Sequence, residues 1–279
     1  MSEDSAAVQV GHATVGRTMT TSTGSVLREL AVLRGWLSTL VLLLVWYAAS
    51  AAGWLNPRAL PGPDRLLLTA WSMLQDGTLP RALAVSLSRV LQGALLGGAV
   101  GLSAGVFAGF SRLGEDIVDK PMQMLRTIPF TALVPLFILW FGIDETPKVL
   151  LVALGVAVPL YVNTFGGIRN VDVKLVEVAQ VARMSRLAIA LKVLLPAALP
   201  TLLLGLRFAL GLGWIAVIIA ETVGADSGIG FLLSNARQFV RTDVMLVCVA
   251  VYALLGLATD YLVRLLERVL LSWRRVYAG

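Results

Sequence analysis

Side chains able to do chemistry are sparse in this chain. One group of them, Glu177, Arg183, Arg186 and Lys192, is set in EVAQVARMSRLAIALKVLLP, residues 177–196. Their neighbours are mostly Val, Ala and Leu, so the segment is too charged to span a bilayer and too apolar for a plain solvated loop. Two readings fit that pattern: a helix offered to a soluble partner, or one lying on lipid headgroups. Arg207 stands alone in an apolar run, where a guanidinium is costly and marks a functional residue by default. It can meet an anion with several donors, or pin helices by bonding carbonyls or an acid such as Glu221 of a second copy.

Other chemistries lack their parts. With one His (His12) and one Cys (Cys248) there is no disulfide within the chain, and no basis for a Cys/His metal site or a Cys–His nucleophile. No nucleophile–base set suggests a membrane enzyme. The GxxxxGK[ST] phosphate loop is missing, as is any Gly-Lys pair, so no cofactor is expected on this chain. If ATP drives it, another chain holds the ATP.

The elements that must position these residues are apolar. The chain is 57% hydrophobic and 14% charged, against about 45–50% and about 25% for soluble domains, which makes it a polytopic, all-α membrane protein. Residues 1–34 read as a disordered tail and 35–275 as one transmembrane domain, with six spans near 36–54, 83–110, 121–143, 149–168, 199–221 and 244–266. Trp36 and Trp54 sit at the ends of the first span as interfacial anchors. In the second, Gly93, Gly97, Gly101, Gly105 and Gly109 recur every fourth residue and let another helix backbone come close. Pro129, Pro135 and Pro159 interrupt the third and fourth, either as packing kinks or where a path satisfies freed carbonyls. Residues 56–80 read as an outer loop with room for a short surface helix, 111–120 as a charged loop, and 225–243 as an amphipathic outer stretch.

Six spans put both termini on one side. Arg28, Arg34, Arg112, Lys120, Arg126, Arg169, the 177–196 cations and the C-terminal Arg268, Arg274 and Arg275 outnumber Arg58, Arg65, Arg81, Lys148, Arg237 and Arg241 opposite. The excess places both termini and the charged insert, with its surrounding loop 170–197, in the cytoplasm. The net charge of +6 reflects these loops rather than a nucleic-acid partner. Arg89 is expected to snorkel or cap near the outer end of its span. Trp214 and Asn163 either line a path or pack. Arg237 and Arg241 suit docking of an acidic protein, or form a solvated face.

The insert resembles the EAA loop of bacterial ABC-importer permeases. Glu177 and Ala179 match, Leu195-Pro196 close the motif at the expected distance, and Val178 replaces an Ala. Arg183 stands where the motif has the Gly that ends the first coupling helix, so the turn needs another solution, such as a continuous helix or a cap at Ser185. Residues 124–144, 161–172, 206–222 and 227–243 extend the likeness to the aliphatic sulfonate branch, with taurine, nitrate, cyanate and bicarbonate systems nearby. The resemblance implies a homodimer in the bacterial inner membrane, two ATPase subunits holding ATP and Mg, and an extracytoplasmic binding protein. It further implies a loop in which Glu177, Ala179, Ala182, Arg183, Ser185 and Pro196 couple the permease to the ATPases, and a path drawing on Arg207, Trp214, Asn163 and Glu221. The rival is a secondary anion transporter or channel, a class marked by internal repeats and acids at mid-membrane. Neither is visible in the sequence.

Overall fold

The computed structural model describes residues 23–273. The rest of the expected tail, with His12, lies outside them, as do Arg274 and Arg275 at the other end of the chain. The first helix, α1 (Thr23–Ala51), begins inside that tail and belongs to a unit of its own, residues 1–54. The second unit holds α2 (Pro63–Gln75), α3 (Thr78–Phe110), α4 (Arg112–Thr127), α5 (Phe130–Phe141), α6 (Glu145–Arg169), α7 (Val173–Val181), α8 (Arg186–Ile189), α9 (Leu195–Gly224), α10 (Ile229–Gln238) and α11 (Thr242–Leu270). A π-helical stretch, Ala190–Leu194, joins α8 to α9 without a break. Among the described residues, α3, α6, α8–α9 and α11 are long and apolar enough to cross a membrane, and the bent pair α4–α5 makes a fifth crossing if counted as one.

At the centre α6 lies between α3 and α9. The glycine stripe of α3 seats it: a Cβ on Gly97 would fall 2.1 Å from the Ala153 carbonyl oxygen, and one on Gly101 2.4 Å from that of Ala157. Lipid gives no hydrophobic drive between helices, so this close backbone approach supplies the packing instead. Val152, Val156, Leu160 and Tyr161 of α6 are thereby buried, while Leu91, Leu95 and Val100 of α3 face outward.

The charged loop expected at residues 111–120 is helical. Ser111 caps α4, its Oγ accepting from Gly114 N–H at 3.2 Å. One turn apart, Glu115 pairs with Arg169 of α6, and Asp119 accepts from the Tyr161 hydroxyl at 3.1 Å. The charges that resemble a loop are one face of an amphipathic helix. Ile128 and Pro129 are extended (ψ 124° and 132°), as the residue before a proline prefers, and the chain turns through 111° into α5.

Candidate functional site

The end of the bundle bearing α7 and α8 is the loop end; the end bearing α2 and α10 is the cap end. At the loop end Asp172 caps α7 by accepting from Lys174 N–H at 2.9 Å. Ala179 is buried, whereas Glu177, Val178, Val181 and Leu187 are exposed. Among the described residues Glu177 has no ion partner; neither Lys174, Arg183 nor Arg186 reaches it. Arg183 occupies the left-handed region at φ 56°. Its N–H donates to the Gln180 carbonyl at 2.9 Å and that of Met184 to Ala179 at 3.1 Å, the paired bonds of a Schellman turn past Ala182. The turn usual for glycine is thus kept with arginine, and Ser185 then caps α8, accepting from Ala188 N–H at 3.3 Å. Pro196 is the second residue of α9, directly after the π-helical stretch.

At the cap end the expectation for Arg89 is overturned. Its guanidinium is 1% exposed and grips Glu145 of α6 with two bonds of 2.6 Å. It also donates to Glu221 of α9 at 2.9 Å and to the Ser227 carbonyl at 2.7 Å. Glu221, 1% exposed, accepts further from Ser86 Oγ at 2.8 Å and Gly230 N–H at 2.8 Å. Gly228, at φ 106°, lies so close that a Cβ would sit 2.5 Å from the Glu221 carboxyl. Arg89 does not reach for water because two helices bring carboxylates to it, and a buried cation so paired is retained.

Arg207 meets a different set. Its Nε lies 2.9 Å from Asp260 and its Nη2 3.6 Å from Glu267, both on α11, with the side chain 31% exposed. Asp260 also pairs with Arg264 at 2.7 Å. Trp214 is buried, donating to Thr259 Oγ1 at 3.0 Å and packing edge-on against Tyr252. Of the expected path residues, Glu221 lines a cavity beside α10 and Asn163 lines a second one. That cavity, of about 270 Å³, lies where α4 breaks into α5 against α6 and α9. Arg237 and Arg241 are both exposed, at the end of α10, where Val240 is left-handed at φ 54°.

A family model described as "Binding-protein-dependent transport system inner membrane component" matches residues 98–271. The chain belongs to this family. It is a multi-pass inner-membrane permease of a binding-protein-dependent transport system. A relative in Escherichia coli (strain K12) named for aliphatic sulfonates transport, permease protein SsuC, is 47% identical over 87% of this chain and 92% of its own length. Its namesake in Bacillus subtilis (strain 168) is 44% identical over 88% and 90%. The taurine transport system permease protein TauC of Escherichia coli (strain K12) is 34% identical over 84% and 86%. The fold is that of a chain of the MetNI methionine ABC transporter in an inward-facing form, with a TM-score of 0.54 at 22% identity over 68% of this chain and 96% of that one.

Sequence reasoning passed over Arg89 with Glu145, and Arg126 at the α4–α5 break. For Arg89 the signal was present: an arginine inside an apolar span needs an acid from another helix. Arg126 was counted only among the positive residues that set topology.

Proposed function

We propose that two copies of this chain form the translocation path of an ATP-driven importer for aliphatic sulfonates. In this reading α1 completes six crossings and both termini are cytoplasmic. ATP and Mg²⁺ are held by two partner ATPase subunits, and this chain itself catalyses nothing. An extracytoplasmic binding protein delivers the substrate against the cap end, where Arg237 and Arg241 of the exposed α10 terminus offer cationic contacts. The observation that carries the substrate is the 47% identity, over 92% of its length, with a relative named for that transport.

The loop is the coupling element. Glu177 is exposed and unpaired among the described residues, and Val178, Val181 and Leu187 turn apolar surface outward. A groove on an ATPase can bury that surface and match Glu177 with a cation. Ala179 anchors α7 inward, Ala182 and Arg183 make the turn, and Ser185 starts α8. Because α8, the π stretch and α9 run without a break to Gly224, displacement of the loop moves α9 as a lever. Arg207, Trp214 and Glu221 brace that lever against α11 and α3 instead of meeting the substrate.

The test is reconstitution in liposomes with the ATPase and the binding protein. ATP-dependent uptake of alkanesulfonates is expected, and Glu177→Arg should abolish copurification of the ATPase. ATP-independent uptake by this chain alone would make it a secondary transporter and end the proposal. Growth on different sulfonates, taurine included, as sole sulfur source defines the substrate range.

A further inference from the structure

The cavity at the α4–α5 break owes its shape to Ile128 and Pro129, whose extended backbone splits one crossing into two helices 111° apart. Its walls are Leu154 and Val158 of α6 with Phe208 and Leu212 of α9, and its polar lining is Arg126 and Asn163. At 1.5 Å per residue Asn163 lies ~9 Å and Leu154 ~22 Å from the loop end of α6, so the cavity reaches the middle of the helix. Its volume of about 270 Å³ is close to the lower bound of ~300 Å³ for small-ligand sites.

Asn163 Nδ2 donates to the Pro159 carbonyl at 2.8 Å, which fixes the amide and leaves its second N–H to offer. Gly205 of α9 is shaped to it: a Cβ there would fall 2.3 Å from that of Asn163. Arg126 occupies the last turn of α4, and among the described residues no carboxylate pairs with it. Arg207, the arginine first suspected of meeting an anion, is neutralised by Asp260 and Glu267.

We infer that Arg126 and Asn163 are the anion-recognition pair of the translocation path, taking the sulfonate head while the Leu154–Phe208 wall takes the alkyl part. This rests on the function proposed above. A planar guanidinium presents parallel N–H groups to sulfonate oxygens, the free amide N–H adds a third donor, and the apolar wall favours an amphipathic anion over an inorganic one. The path then selects again after the binding protein has selected.

The experiment is ATP-driven uptake of radiolabelled butanesulfonate by the complete complex in proteoliposomes, for wild type, Arg126→Gln, Arg126→Lys and Asn163→Leu. Arg126→Gln should lower uptake by about tenfold or more, the worth of a lost hydrogen bond to charge, while ATP hydrolysis stimulated by the binding protein persists. Arg126→Lys, which keeps the charge but not the paired N–H groups, should restore only part of the loss and, like Asn163→Leu, raise the apparent KM several-fold. Wild-type uptake by Arg126→Gln overturns the inference, as does an Arg126→Lys complex no better than Arg126→Gln. If Arg126→Gln fails to assemble, an unchanged apparent KM in both Arg126→Lys and Asn163→Leu overturns it. A wild-type complex that imports another solute and no sulfonate refutes the proposed function instead. The pair then stands only if that solute is an anion and Arg126→Gln loses it.

Discussion

The two ends of this bundle solve the same problem in opposite ways. Each ties an arginine to two carboxylates from other positions in the chain. At the cap end Arg89, Glu145 and Glu221 link three helices; Arg89 and Glu221 are each 1% exposed, while the Glu145 side chain is 59% exposed. Toward the loop end, from near the middle of α9, Arg207, Asp260 and Glu267 link α9 and α11, and about a third of the Arg207 side chain is exposed. A buried pair such as Arg89–Glu221 holds its geometry because breaking it strands a charge; a wet one exchanges partners with water and costs little to open. The cap end is thus built as a rigid clasp and the loop end as a joint, which suits the proposed role of α7–α8 as the coupling element.

Removing Arg89 is the strongest attack on that contrast. Arg89→Ala leaves Glu221 buried without its cation and should destabilise the fold by about 3–5 kcal/mol, read as a large drop in melting temperature in detergent. A drop no larger than that of Arg207→Ala would erase the distinction between clasp and joint.

The two ends also share a turn. Val240 and Arg183 both sit left-handed after a short helix, where a β-branched residue is the more strained. Val240→Gly and Arg183→Gly should each stabilise by about 1–2 kcal/mol, Val240→Gly the more. Thermal unfolding in detergent checks the order. If Arg183→Gly raises the melting temperature while ATPase copurification falls, the strained arginine is kept for contact with the partner. The smallest effect belongs to Arg207→Ala: less than about 1 kcal/mol, as for exposed pairs, with sulfonate uptake retained. Uptake lost in that variant would return Arg207 to the path.

Much of this was legible in residue types. The five-residue glycine stripe announced a close helix contact, and position 183 was marked as a turn because glycine stands there in the resembling motif. How a non-glycine residue would make the turn was open, since a continuous helix and a serine cap were both available; the backbone adopts the left-handed turn and uses the Ser185 cap as well. Residues 111–120 were misread because charges facing Arg169 and Tyr161 look the same in sequence as charges facing water. The partners of Arg89 and Arg207 were hidden for a related reason: periodicity reports which face of a helix a residue occupies, not the register of the helix opposite.

By itself the sequence determined the membrane class, the glycine seam, the charged insert and the absence of a phosphate loop, because these follow from composition and local spacing. Only the tertiary structure decided which arginine is locked, which is tied to α11 and which lines a cavity. Those outcomes depend on how far α6 and α9 slide along α3, and that distance is set by backbone contacts such as Gly97 on Ala153, which bring residues 89, 145 and 221 to one point.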